Sequence, residues 1–303
     1  MNNKTRVMKK ITACILLLIM VGCSSPKNDD KALLESLANE KAAEPSISEE
    51  TLKEIIQQIP SPLEISFLIK DLGTKYDKSI LNSTDNMSNY NSNFQKAVNL
   101  GIFGTDLGYT NIFEQNQDGL TYLTAIKELS DGLNLGQFFD IRTLKRLASN
   151  SKNLDSLLLI TTQNFEKINQ YLQNQNRSNL SILLLTGGWL EALHITCQIN
   201  KQNPNKELSD KIGEQKIIID QLMLLLSFYE SDPNINEFIN DLKPLHEVYN
   251  NIEILTTYEE STFKEIDGVL TVVNNSTSTV KVTDQNLADI TRLTETIRQK
   301  VTK

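Results

Sequence analysis

The 303-residue chain is short of the residues that build disulfide scaffolds, turn-dense β folds and metal centres: three Cys, two His, 12 Gly and 7 Pro. Three cysteines cannot make a disulfide framework, and two histidines leave little material for a multi-histidine metal site. Scarce glycine and proline disfavour both β architectures rich in tight turns and Pro/Gly-rich disorder. Basic charge is also in deficit, with 30 Lys and Arg against 38 Asp and Glu and a formal net charge of −8. A nucleic-acid surface needs clustered excess positive charge, so nucleic acid is not an expected partner. There is no P-loop, no Gly-x-Gly-x-x-Gly after a strand, no Gly-x-Ser-x-Gly and no His-Glu-x-x-His, so no cofactor is expected. A sustained period of 30 to 50 residues, the mark of a solenoid, is missing as well. Asparagine, at 31 residues, is abundant instead, and suits helix caps and polar faces.

The first 23 residues fall into three blocks. Residues 1–10 hold the basic side chains Lys4, Arg6, Lys9 and Lys10; residues 11–21 are largely apolar; Gly22-Cys23 follows at once. A cationic stretch, a short apolar stretch and a small residue before a cut describe a secretory signal. The apolar run of about eleven residues is too short for a bilayer-spanning helix, which needs roughly 20. Without residues 1–22, 26 of the 30 basic residues remain against 38 acidic ones, a net of −12 over 281 residues.

Met20-Val21-Gly22-Cys23 resembles the lipobox of bacterial lipoproteins, with Met20 where Leu is more usual. The resemblance implies cleavage after Gly22, diacylglycerol on the Cys23 sulfur and acylation, palmitate for example, of the new amine. Several acyl chains anchor a protein stably where one binds only marginally. The membrane-lipid partner is thus reached through Cys23, in the bacterial cell envelope. Ser24 resembles the residue that permits transfer to an outer membrane, and Lys27, Asp29 and Asp30 resemble short surface-export signals, leaving the periplasmic or surface face open. Ile11-Thr12-Ala13-Cys14 fits the same loose pattern but has no apolar stretch before it. Once the signal is removed, Cys197 is the one thiol besides Cys23, and stability rests on packing without a disulfide.

Three regions follow: residues 1–22 as a removed signal, 23–45 as a lipidated polar tether, and 46–303 as one helical domain. Ser46-Ile47-Ser48-Glu49 has capping-box spacing, and Ser61-Pro62-Leu63-Glu64 joins an N-cap, a first-turn proline and a third-position acid, predicting a helix to Gly73. Residues 74–93 read as irregular. Phe94, Val98, Gly101, Thr105, Gly108 and Ile112 recur at steps of 4, 3, 4, 3 and 4, one helix face with small residues at its centre. Shorter periodic runs cover 120–131 and 141–148, and a longer one 154–172. Residues 180–199 and 217–229 are apolar around most of their circumference and belong inside a body; Glu191, His194 and Asp220 argue against membrane spans. Residues 235–258 read as a helix with a kink or break near Asn240 or Asp241 caused by Pro244. The β-branched runs 269–273 and 279–282 suggest a small hairpin around Asn274–Ser278, and Leu287, Ile290, Leu293, Ile297 and Val301 a closing helix. The fold class expected is all-α: a multi-helix antiparallel bundle with one short hairpin near the C-terminus.

The segment running from Ile59-Pro60-Ser61-Pro62-Leu63-Glu64 through Asn99-Leu100-Gly101-Ile102-Phe103-Gly104-Thr105-Asp106-Leu107-Gly108-Tyr109 to Gly187-Gly188-Trp189-Leu190-Glu191 is similar to uncharacterised envelope lipoproteins of anaerobic and gliding Gram-negative bacteria. No activity is attached to that family, so the resemblance implies no functional residue.

Glu191, His194 and Cys197 lie at steps of three, about 300° each, on one broad helix face. Glu-x-x-His is the spacing that di-metal bundles supply twice; His246 has Lys243 in the matching position, which argues against a second copy. A mononuclear metal site from Glu191, His194, Cys197 and His246 is one reading. The other, which the residue types favour, is a buried Glu191–His194 pair satisfied by an arginine such as Arg142, Arg146 or Arg177, with no metal. Cys197 reads as a small buried thiol rather than a nucleophile. Gly187-Gly188-Trp189 interrupts the most apolar helix, where two glycines cost about 2 kcal/mol relative to alanines. They mark either a ligand site beside Trp189 or close approach to the Gly101/Gly104/Thr105/Gly108 face, the latter favoured. The functional expectation is a non-enzymatic, membrane-anchored protein that binds a protein or small ligand. A hydrolytic or metal-dependent enzyme centred on Glu191 and His194, and a structural spacer, are the alternatives.

Overall fold

Local sequence signals decide where the helices begin. Ser92 accepts from the Gln95 amide and Gln95 answers to the Ser92 backbone, a reciprocal capping box that opens α1, Asn93–Ile112. Thr283 and Asn286 do the same for the closing helix, α6, Asp284–Thr302. Between them run α2, Asn116–Gly132; α3, Ser178–Gln202; α4, Lys206–Ser227; and α5, Pro233–Asn250. The computed structural model describes residues 68–139, 164, 167–259, 262–266, 269–273 and 277–303, all within one compact unit of the chain. The features expected within residues 1–67, 141–148 and much of 154–172, Cys23 among them, lie outside these residues.

The architecture is the all-α bundle expected. α3 lies at its centre, packed against α1, α4 and α6, while α1 also packs on α2 and α5 on both α4 and α6. Nineteen of the 25 residues of α3 are buried, including Leu183, Leu190, Leu193 and Ile195. It is the one described helix long and apolar enough to cross a membrane, and 94% of its most apolar 18-residue stretch is buried within the body. At 68–71 a helical turn ends at Gly73, whose φ of +72° is the left-handed terminator that glycine supplies cheaply. Residues 74–91 hold two 3₁₀ turns, Lys78–Ile80 and Thr84–Asn89, the second packed against α2.

Two expectations are corrected in detail. α4 starts at Lys206, well before residue 217, because Asn205 caps it by accepting from the Leu208 amide. α5 runs unbroken through Pro244 and ends at Asn250 rather than reaching residue 258. Buried Phe238 and Leu242 before the proline, and Leu245 and Tyr249 after it, hold the helix to its neighbours across the missing hydrogen bond. The β-branched stretch beyond becomes β1, Glu253–Thr257.

Four short strands form two nested antiparallel ladders near the C-terminus. β2, Thr262–Ile266, pairs with β3, Val269–Val273; β1 pairs with β4, Thr277–Lys281. The 269–273 run is a strand as read, but its partner precedes it. The missed signal is Asp267-Gly268, a two-residue hairpin dipeptide between Ile266 and Val269. The outer ladder seats on α4, where an added Cβ on Gly213 would come within 2.5 Å of Val280 Cγ1.

Candidate functional site

The most chemistry-rich place in the described body is a sealed polar cluster where α1, α3, α6 and the 3₁₀ turn at Ile80 meet. Glu191 of α3 is fully buried and takes a two-point contact from Arg298 of α6: Nε to Oε2 at 2.5 Å and Nη2 to Oε1 at 2.7 Å. That bidentate geometry is the strong form of a carboxylate–guanidinium pair. Burial works against the Arg298 charge, but the Glu191 carboxylate outweighs it and holds the guanidinium's pKa above the ordinary arginine value. Arg298 Nη2 also donates to the Ile80 carbonyl at 3.2 Å.

His194, one turn along α3, reaches the same carbonyl with Nε2 at 3.1 Å. A carbonyl only accepts, so Nε2 carries the hydrogen and Nδ1 presents a lone pair. Nδ1 lies 3.2 Å from Glu295 Oε2, yet outside hydrogen-bond geometry, so acceptor faces acceptor. Burial, joined by the Arg298 charge and opposed by Glu191 and Glu295, depresses the pKa of His194.

Asp106 of α1 completes the cluster. It is fully buried; Oδ2 accepts from the Asn82 amide at 3.3 Å, Oδ1 accepts from no donor, and the Glu191 carboxylate lies within reach of a proton carried by Asp106. Burial first, then the Glu191 charge, drive its pKa far above the carboxylate range, because the single guanidinium is committed to Glu191. Asp106 is therefore held as the neutral acid. Around it, Tyr122 donates to the Asn82 carbonyl, the Asn82 amide group donates to Tyr90, Tyr90 donates to the Thr302 carbonyl and Asn99 to the Val301 carbonyl. Residues 80–82 and the end of α6 are thus tied to the same core.

The sequence-derived candidates separate cleanly. Glu191 and His194 meet through Arg298, which pairs with Glu191 and shares the Ile80 carbonyl with His194, so the arginine that answers Glu191 is Arg298. Arg177 instead donates to the Leu133 carbonyl, and Arg142 and Arg146 lie outside the described residues. Cys197 is buried, its thiol pushed up to about 12 by desolvation, which removes it as a nucleophile at neutral pH. His246 does not converge with His194: its Nε2 meets Asp220 of α4 at 2.6 Å. Among the described residues no group of three or more His, Cys, Asp or Glu is arranged to hold a metal ion. Trp189 donates from Nε1 to Gln215 of α4 at 3.0 Å and fills a buried position between helices.

The small residues let α1 and α3 touch. A Cβ on Gly187 would sit 2.1 Å from the Val98 carbonyl oxygen, and one on Gly101 2.0 Å from that of Leu184. Thr105 donates to the Gly188 carbonyl at 3.0 Å, and Gly108 is buried on the same helix. Gly104 is corrected: it is exposed, with nothing within 4 Å of an added Cβ.

Asp106, Asn82 and Arg298 escaped the sequence reading. An acid between Phe103 and Tyr109, beside the predicted buried face, was the available sign for the first; Arg298, next to Ile297 in the apolar row of α6, was the sign for the last. No family model, curated protein or solved structure matches this chain.

Proposed function

We propose that the protein is a lipid-anchored bacterial envelope lipoprotein that works by binding a partner protein or small ligand, without catalysis. One observation carries the non-catalytic half. The side chains on α3 best suited to chemistry are engaged internally, Glu191 by Arg298 and His194 Nε2 by the Ile80 carbonyl, while Cys197 is a buried, protonated thiol. General acid–base or nucleophilic chemistry needs such groups within reach of a substrate. The anchored half rests on the order of blocks in residues 1–23 and on the Met20–Cys23 sequence. Placement in the outer membrane is part of the same reading and rests on Ser24.

Expression of the full chain and of Cys23→Ser in a lipoprotein-processing bacterium, followed by fractionation and intact-mass measurement, tests the anchor. The expected wild-type mass corresponds to loss of residues 1–22 plus acyl chains, in the membrane pellet; the variant leaves the pellet or stays at precursor mass. A variant that still pellets at the wild-type mass overturns the anchor. Metal analysis tests the other half: stoichiometric metal that disappears in His194→Ala would replace the binding reading by a metalloenzyme.

A further inference from the structure

The Ile80 carbonyl accepts from two groups at once, Arg298 Nη2 at 3.2 Å and His194 Nε2 at 3.1 Å. One donor is a permanent cation and the other can become one. The groups that face His194 are Glu191 on its own helix, Arg298 and Glu295 from α6, and the Ile80 carbonyl from the 3₁₀ turn; Asp106 of α1 lies behind Glu191 and Arg298. Glu191 is already committed to Arg298, whereas Glu295 is half-buried at the cluster's rim, with Oε2 3.2 Å from His194 Nδ1. A proton on Nδ1 therefore changes two contacts together. It turns an acceptor–acceptor approach into a donor–carboxylate pair with Glu295, and it sets a second positive charge beside Arg298 on one carbonyl.

We propose that His194 is an acid-operated latch: protonation at Nδ1 draws the imidazole toward Glu295 and away from Ile80, loosening the chain around Ile80 from α3 and α6. The rest of the segment 77–82 stays tied to the body at its ends, Asn82 by Tyr122, Tyr90 and Asp106 and residues 77–78 by Tyr109, Gln202 and Asp118, so the loosening is local to Ile80 and its neighbours. The direction is set by burial, which lowers the proton affinity of His194 in the closed state. A free histidine protonates near pH 6.5, so the closed segment keeps its full stability above about that pH and loses it as pH falls through the depressed folded value. This device is independent of whether Cys23 is acylated.

Only two histidines are present, so His246→Gln leaves His194 as the sole imidazole signal in carbon-13-labelled full-length protein. The imidazole titration is followed by NMR together with hydrogen exchange at the Leu81 and Asn82 amides, corrected for intrinsic rates, from pH 7.5 to 5. The expected result is His194 neutral with Nε2 protonated at pH 7, titrating below about 6.5. Protection at the two amides should fall on acidification by about tenfold for each unit of depression. His194→Gln keeps a donor for Ile80 but cannot titrate, and should abolish the acid-dependent loss. Glu295→Gln removes the carboxylate that favours the imidazolium and should move the transition to lower pH; it also serves if His194→Gln fails to fold. A titration at or above about 6.5, an undiminished acid response in His194→Gln, or a transition unmoved or raised in Glu295→Gln overturns the proposal.

Discussion

Two buried acids and one buried arginine define the residue scale. Arg298→Met leaves Glu191 without a counter-charge at a fully buried position, a change that costs about 3–5 kcal/mol in comparable sites. Paired with Glu191→Leu, the same change should recover most of that loss, because an apolar pair of similar volume is often neutral or better. Urea denaturation of the two variants measures both. Asp106→Asn argues in the opposite direction. The unfolded chain ionises this acid near pH 4, while the folded state keeps its proton well above that, so the wild type loses stability as pH rises from about 4 through the raised folded value. Asparagine mimics the neutral acid without titrating and offers a donor beside the unpartnered Oδ1 position. It should stabilise at pH 7 by about 1.4 kcal/mol for each pH unit above 4 over which the buried acid keeps its proton, and the gain should vanish below about pH 4. Stability curves at pH 7 and pH 4 decide it. Of this cluster only the α3 half was legible in the sequence. Glu191 and His194 lie three residues apart, and a helix alone places them together. Arg298 is 107 residues away from Glu191, and no local pattern relates the two.

At the scale of elements, the contact between α1 and α3 turns on two glycines and tolerates a change at a third. Gly187→Ala or Gly101→Ala drives a methyl into a facing backbone carbonyl, which cannot rotate aside as a side chain would. Each should cost about 1–3 kcal/mol, the usual penalty of overpacking. Gly104→Ala meets nothing and removes a flexible residue from an exposed helical position, so it should stabilise by about 1 kcal/mol. Thermal unfolding of the three single variants gives the contrast directly. The helix spans themselves were readable, because the 3.6-residue period and the caps are local: the Ser92/Gln95 box lies at the start of the predicted face, and Asn205 at the turn before α4. Strand pairing was less so. Alternation marks a strand without naming its neighbour, and the 269–273 run pairs with the strand across Asp267-Gly268 rather than with the β-branched run that follows it. The end of α5 lies short of the sequence expectation because Ile252, three residues after Tyr249, continues the same helical face.

For the whole molecule, the last helix acts as a keystone. α6 brings Arg298 to Glu191, offers the Val301 and Thr302 carbonyls to Asn99 and Tyr90, and packs against α1, α3 and α5. Ending the chain at Thr283 should therefore abolish cooperative unfolding rather than lower its midpoint. Near-ultraviolet circular dichroism of Trp189, the sole tryptophan, reports the loss of fixed packing while far-ultraviolet helix signal persists. The same arrangement has a temporal consequence. Arg298 follows Glu191 by 107 residues, so a nascent chain carries Glu191 uncompensated until α6 has been made. Domains commonly fold as they emerge from the ribosome, N-terminal parts first. Here the buried acid on α3 waits for its cation until α6 has emerged, so the central helix cannot finish packing ahead of α6.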